Sequence, residues 1–303
     1  MIIIRFHGGL GNQMFEYAFF KYMEKRYPGK VKADLTWFDR NFREHQGYEL
    51  EKVFGISLPT ASYEEVAKIH EYYPKYYKFA PLRFLAKRWA KKKNAKRIAK
   101  GDLPTGEHVF DFGPTQYEKN PIFDKLDANK DWYIEGVFCS DEYLADVEMV
   151  VKSDFAFSVP ENDKLRKLEE EMKSCESVAI HVRRGDYVGN VFDVVRTEYY
   201  QKACEYVAGK VKNPTFYIFS DDMDYVKKEF SFLQNYQPVH NAGSASYTDM
   251  MLISKCRHAI IANSSFSYWG ALLGEREGSI VIAPEKYKAD ETIALARKNW
   301  ILI

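Results

Sequence analysis

The stretch Ser177-Val-Ala-Ile-His-Val-Arg-Arg-Gly-Asp186 opens on an apolar run and breaks abruptly into two arginines, a glycine and an acid. A short apolar run bounded by a charged turn reads as a buried strand, with the turn marking where the chain leaves the sheet. Downstream the pattern alternates. It predicts a helix over Glu198–Ala208, a strand over Thr215–Ser220, a helix over Met223–Phe230, a short strand over Tyr236–Val239 and a helix over Tyr247–Cys256. A strand over Ala259–Asn263, a helix over Phe266–Leu273 and a strand over Ile280–Ala283 complete the series. Strands spaced by helical stretches imply a doubly wound, mostly parallel α/β sheet, with ligands beyond the carboxyl ends of its strands. Arg183–Asp186, Asp221-Asp222, His240-Asn241 and Ser264-Ser265 are therefore the positions to weigh first.

Upstream, the same grammar recurs. Ile2–Phe6 predicts a strand, Gly8, Gly9 and Gly11 a turn, residues Gln13–Tyr27 a helix closed by Pro28-Gly29, and Val31–Asp34 a second strand. Between about Asp39 and Asp131 the pattern is irregular and reads as helical excursions, and Lys164–Lys173 reads as a charged helix. Two domains are expected, residues 1–160 and 161–303.

Charge and composition narrow the function. With 44 Lys+Arg against 43 Asp+Glu, the net charge of +1 argues against a dedicated nucleic-acid binder. Nine of those basic residues fall between Arg83 and Lys100 with no acid among them, so the remainder is net acidic. A hydrophobic fraction of 46% and an aromatic fraction of 16% exclude disorder for most of the chain. No apolar stretch approaches the roughly 20 residues of a spanning helix, and no signal peptide is evident, so a cytoplasmic, unexported protein is expected. Cys139, Cys175, Cys204 and Cys256 lack any Cys-x-x-Cys spacing and read as thiols in a reducing compartment.

Four strand-end segments carry candidate chemistry. His7-Gly-Gly-Leu-Gly-Asn-Gln13 is either a ligand loop, its glycines and helix start admitting an anion, or a plain tight turn. Met14 breaks the dinucleotide fingerprint that Gly9 and Gly11 begin, although Asp34 lies where a ribose-binding acid would. In His181-Val-Arg-Arg-Gly-Asp186 two guanidiniums can grip a diphosphate, with Asp186 positioning one of them; the alternative is a surface ion pair. Asp221 and Asp222 divide between nucleoside recognition and helix capping, and Asp222-x-Asp224 also has the spacing of a metal site, which commonplace capping disfavours. Asn263-Ser-Ser-Phe266 presents hydroxyls and backbone N–H groups to an anion, or caps a helix whose Phe266, Tyr268 and Trp269 pack inward.

Together these segments resemble the α-1,2-fucosyltransferases of glycosyltransferase family 11. Gly-Gly-Leu-Gly-Asn-Gln-Met-Phe-Glu-Tyr-Ala, His-Val-Arg-Arg-Gly-Asp-Tyr, Phe-Ser-Asp-Asp and Asn-Ser-Ser-Phe-Ser-Tyr-Trp-Gly-Ala stand in the family's order. The likeness runs nearly end to end and is weakest in the middle. Glu16 stands where Gln is usual, Tyr268 where Trp is common, and His7 has no fixed counterpart. The resemblance implies a GT-B fold, two Rossmann-like domains facing a central cleft, the first on the acceptor side and the second binding GDP-fucose. It further implies transfer from GDP-β-L-fucose to the 2-hydroxyl of a galactose-terminated glycan, with inversion and with no metal or other cofactor. Arg184 would neutralise the diphosphate with support from Arg183 and His181, Asp221 would read guanine, and Asn263, Ser264, Ser265 and the Phe266 N–H would bind phosphate. Asn12, with Gly9, Gly11 and Gln13, would approach the sugar or β-phosphate. Asp186 is the first candidate base or an orienting acid, with His7, Asp193 and Glu198 behind it.

Two other classes compete. One is a non-catalytic nucleotide- or glycan-binding module on the same fold, or a related GDP-sugar transferase with a different sugar or linkage. The other concerns the Arg83–Lys100 segment, where Leu82, Leu85, Ala86 and Trp89 fall near helical spacing among basic residues. That pattern is expected of a helix peripheral to an anionic membrane surface, or of a solvated basic helix.

Overall fold

Why β-branched runs become strands and aromatic-rich runs become helices is visible in a computed structural model that describes residues 1–40, 45–69, 92, 106–111, 117–158, 162–241, 246–290 and 293–303. The Arg83–Lys100 segment lies outside the described residues except for Lys92, as does much of the irregular middle. The chain divides into two compact units, Met1–Asp154 and Phe155–Ile303. The division falls a few residues before the expected one, and the Phe155 ring already packs edge-on against Trp269 of the second unit at 5.2 Å.

In the first unit β1 (Ile2–Arg5) leads into α1 (Leu10–Arg26) and β2 (Val31–Asp34). Short helices α2 (Thr36–Arg40), α3 (Leu50–Phe54) and α4 (Tyr63–Ile69) follow, then β3 (Gly106–Asp111) and β4 (Asp131–Gly136). Helices α5 (Asp141–Ala145) and α6 (Glu148–Asp154) end the unit. The four strands form a wholly parallel sheet in the order β2-β1-β4-β3. Helix α1 is enclosed on almost every side, which is why it carries no polar stripe. Its Phe19 stacks on Phe138 at 3.8 Å and meets Phe123 and Tyr143 edge-on at 4.9 and 5.0 Å. Lys25 and Arg26 fall in its last turn, where cations complement the helix dipole.

The second unit holds α7 (Asp163–Lys173), β5 (Ser177–Val182), α8 (Thr197–Ala208), β6 (Thr215–Ser220), α9 (Met223–Glu229) and β7 (Tyr236–Val239). Then come α10 (Tyr247–Ile253), β8 (His258–Ile260), α11 (Ser265–Gly274), β9 (Val281–Ala283) and β10 (Ile301–Leu302). The sheet is parallel throughout, in the order β10-β9-β8-β5-β6-β7. The predicted strands β5, β6 and β7 have the expected bounds. The sixth strand, β10, is an addition to the expected series, because an Ile-Leu pair is too short to show a period. From β5 the chain steps outward to β7, then returns to lay β8 on the other side of β5. That reversal opens a crevice between the carboxyl ends of β5 and β8, the usual ligand position in doubly wound sheets.

Helix α8 sets Tyr199, Tyr200, Ala203, Cys204 and Val207 at helical spacing onto Val178, Ile180, Ile218 and Ile260 of the sheet. The four cysteines are free, and Cys139, Cys204 and Cys256 are buried. Among the described residues no helix is long and apolar enough to cross a membrane.

Helices α10 and α11 approach closely at Gly270, where an added Cβ would stand 2.7 Å from Ile253 Cγ2 and 3.0 Å from its Cβ. Helix propensity alone favours alanine there by about 1 kcal/mol, but a β-branched neighbour cannot swing aside, and overpacking costs about 1–3 kcal/mol. Gly270→Ala is therefore expected to lower the urea midpoint of the second unit; an unchanged or raised midpoint would show that the two helices can separate freely.

Candidate active site

The end of β5 and the two residues that follow it present three side chains with different fates. His181 is buried and its ring lies over Phe266 at 5.6 Å, while its Nδ1 has no hydrogen-bond partner among the described residues. Burial, with Arg183 adding to it, pushes its pKa down to about 3, so the imidazole is neutral. Arg183 points into carboxylates: Nη2 donates to Asp186 Oδ1 at 2.6 Å and Nη1 lies 2.8 Å from Asp221 Oδ2. Arg184 turns the other way, its Nη1 3.2 Å from Asp193 Oδ1 and its guanidinium 4.2 Å from the centre of the Tyr225 ring. Its Nε is buried and has no partner among the described residues.

Asp221, at the end of β6, locks this loop. Its Oδ2 faces Arg183 while its Oδ1 accepts the Arg184 backbone N–H at 2.9 Å. Gly185 makes that possible, since a Cβ there would stand 2.7 Å from Asp221 Oδ2. With both oxygens engaged, Asp221 braces the arginine loop. Asp186 likewise holds Arg183, the orienting half of its expected role. Asp193 collects Arg184, Arg196 at 2.7 Å and the Gly189 N–H at 3.1 Å, and that amide with the arginines holds its carboxyl below the usual range. The charges of Arg183, Arg184 and Arg196 are thus matched by Asp186, Asp193 and Asp221. The loop is not a bare cationic patch, and what distinguishes Arg184 is a buried donor left over.

Across the crevice, Ser264 caps α11 by accepting the Phe266 N–H at 3.3 Å, and its side chain also meets the Tyr187 hydroxyl, whose pKa burial pushes up to about 12. Ser265 is half-buried at the first turn. Asn263 serves the architecture: its Nδ2 donates to the Phe192 and Tyr287 carbonyls at 2.9 and 2.7 Å, tying two loops to the end of β8. Asp222 caps α9 by accepting the Tyr225 N–H at 2.9 Å, whereas Asp224 is exposed beside Lys227, so the two do not converge on a metal position.

The first unit has its own strand-end cluster. Gly8 sits at φ +73°, and a Cβ on it would stand 2.7 Å from Asn12 Nδ2, so Asn12 folds back over the glycine turn. Gln13 is fully buried; it donates to the Gly8 and Gly47 carbonyls at 3.0 and 2.9 Å and accepts the Glu49 N–H at 2.8 Å. These bonds make it a brace of the loop. The buried Glu49 carboxyl accepts the Leu10 N–H, so an internal acid already serves the start of α1, beside Gly9 and Gly11. Asp34 is buried too, accepting Tyr133 Oη at 2.5 Å and the Thr36 N–H at 2.9 Å. His7 Nδ1 lies 2.5 Å from Oε1 of the fully buried Glu16. The two departures from the family pattern are therefore one interaction.

The model of glycosyltransferase family 11 matches residues 1–303 of this chain. The chain belongs to glycosyltransferase family 11. This family member is 28% identical over 294 residues to an α-1,2-colitosyltransferase of Escherichia coli, covering 94% of this chain and 91% of that protein. A galactoside 2-α-L-fucosyltransferase of Bos taurus is 31% identical over 105 residues, 32% of this chain and 28% of that one. The fucosyltransferase NodZ from Bradyrhizobium superposes with a TM-score of 0.50 at 12% identity over 89% of this chain and 91% of its own, which supports the GT-B type of Rossmann-like α/β architecture.

Sequence reading missed Tyr225 beneath Arg184 and Glu49 at α1. The i to i+3 spacing of Asp222 and Tyr225 on the capped first turn of α9 was the available signal for the former; nothing local pointed to the latter.

Because His181 is held neutral with its pKa below the unfolded value near 6.5, the unfolded state binds the extra proton. Its contribution is complete above pH 6.5 and is lost as pH falls toward 3. His181→Phe is expected to flatten the loss of unfolding free energy between pH 7 and 5, by up to about 1.4 kcal/mol per pH unit. Parallel urea-derived curves for the two proteins would refute a neutral His181.

Proposed function

We propose that this glycosyltransferase moves L-fucose from GDP-β-L-fucose to the 2-hydroxyl of a galactose-type residue in a glycan, with inversion and without a metal. The observation that carries the reading is the buried, partnerless Arg184 Nε on a rigid loop at the β5–β8 crevice. A buried donor without an acceptor costs about 1–3 kcal/mol, a cost that an anionic oxygen arriving at that atom would remove. Arg184 is braced from behind by Tyr225, from the side by Asp193, and through its own N–H by Asp221, so its donors need no reorganisation as charge develops on the leaving diphosphate. Ser264, Ser265 and the N-terminal end of α11 supply hydroxyl and amide donors on the other wall. Arg183, Asp186, Asp221 and Asn263 act as positioning residues, His181 and Phe266 as the apolar floor between the two strands. Fixed donors suffice chemically for departure of a nucleoside diphosphate, which supports the metal-free reading.

A second reading follows from the colitosyltransferase relative: the same diphosphate site with a different deoxy sugar. It shares every residue named above and differs only in donor preference, whereas a non-catalytic module would bind GDP and turn over nothing. Purified protein with GDP-fucose, a colitosyl donor and a panel of galactosides, followed by linkage analysis, separates the three.

Arg184→Ala is expected to reduce turnover by at least about 10²-fold with an unchanged urea midpoint, and Arg184→Lys to restore little, since lysine lacks the planar fork. Near-wild-type turnover in Arg184→Ala would sink the assignment. Activity is expected to persist in excess chelator; a loss restored by added divalent cation would return Asp222 and Asp224 to consideration.

A further inference from the structure

The charges around the arginine loop balance in total but not in place. Arg183 faces two carboxylates, Asp186 and Asp221. Arg184 and Arg196 have one between them, because the Nη1 atoms of both reach the same oxygen, Asp193 Oδ1, at 3.2 and 2.7 Å. Sharing that oxygen puts the two Nη1 atoms no more than about 6 Å apart, with one positive charge left over beside Arg184.

Arg196 does nothing for the helix it precedes. It occupies the N-cap of α8, and its side chain makes no capping bond. A cation there opposes the helix dipole, at a position where serine, threonine or an acid would be favourable. Its pairing with Asp193 is of the exposed i to i+3 kind that adds little to stability, since 59% of the arginine side chain is exposed. Among the described residues only its Nη1 is engaged, which leaves the rest of the donor fork to solvent. Its place is nonetheless fixed. Asp193 also accepts the Gly189 N–H at 3.1 Å, and the hydroxyl of Thr197, the next residue, lies 3.1 Å from that of Tyr225, whose ring backs Arg184.

We propose that Arg196 is a second diphosphate-binding residue, gripping the nucleoside diphosphate from the solvent side while Arg184 holds it from the buried side. The inference rests on the nucleotide-sugar reading of the Arg184 site given above. Two guanidiniums this close bracket a ligand with two adjacent phosphoryl groups, and each planar fork forms paired, charge-assisted bonds to phosphate oxygens. Asp193 holds both forks in register, and the surplus positive charge of the Arg184, Asp193 and Arg196 cluster meets the charge of the anion. The exposure that makes Arg196 a poor structural residue suits it to capture an anion arriving from solution.

The test uses the full chain with GDP and, as the reference lacking both phosphates, guanosine. Arg196→Ala is expected to weaken GDP binding by about 10-fold or more in calorimetry, with guanosine affinity by ligand-detected nuclear magnetic resonance and the urea midpoint both unchanged. Arg196→Asp places a favoured capping residue at the start of α8, so it is expected to hold or raise the midpoint while weakening GDP further, a divergence that a residue serving only the fold does not produce. Arg196→Lys is expected to recover part of the GDP affinity, since the charge stays and the fork is lost. In turnover, Arg196→Ala is expected to raise KM for the nucleotide sugar and leave KM for the acceptor unmoved. GDP affinity unchanged in Arg196→Ala and Arg196→Asp, or an effect confined to the acceptor KM, overturns the inference and leaves the assignment of Arg184 intact. An equal loss of GDP and guanosine affinity, or a midpoint that falls in both variants together with GDP affinity, reduces Arg196 to structural support and overturns it as well. A wild type that binds GDP no more tightly than guanosine overturns the diphosphate reading itself, and the inference with it.

Discussion

One carboxylate organises the candidate site. Asp221 holds the Arg183 side chain with one oxygen and the Arg184 backbone with the other, and so converts the exit from β5 from a flexible turn into a fixed loop. The rest depends on that grip. Gly185 is required because a side chain would collide with the acid, Arg183 is spent as a strut, and Arg184 is left projecting a buried donor beside Tyr225. A loop that paid this ordering cost at folding has donors in place before any anion arrives, which is how fixed dipoles outperform mobile ones in stabilising developing charge.

The fold supplies the place for this grip. The parallel sheet of the second unit reverses its direction of growth between β5 and β8, so the Arg183-Arg184 loop and the Ser264-capped start of α11 face each other across the gap. Asn263 closes the arrangement from beneath by tying the Phe192 and Tyr287 carbonyls. Polar residues at the strand ends are in several cases fasteners that hold their loops still. Gln13 and Asp34 in the first unit, and Asp221 and Asn263 in the second, are all of this type. Each is buried or has its polar atoms consumed by backbone groups or ion-pair partners.

How much of this was legible depends on the range of the interactions. The bounds of β5, β6 and β7 were legible because apolar runs and turn residues are local signals, as was the capping by Asp222 and Ser264, which involves neighbours two or three residues away. Strand β10 was not, having only two residues and gaining its identity from pairing with β9. The near-neutral total charge proved a weak guide at two scales. A basic run offsets an acidic remainder along the chain, and around Arg184 three arginines and three aspartates balance within a single loop system.

By itself the sequence determined that this chain is an α/β protein with strand-end motifs of a family 11 glycosyltransferase, because periodicity, turn chemistry and motif order are written along the chain. Only the tertiary structure decided which polar residues are engaged and which are available. Adjacent arginines are equivalent in sequence, yet one faces two carboxylates and the other retains a buried donor. His7 and Glu16 read separately as small departures, and the turn of α1 joins them. Partnership in a folded protein is settled by which groups burial brings together, and a buried polar atom must find its partner in space regardless of the distance along the chain.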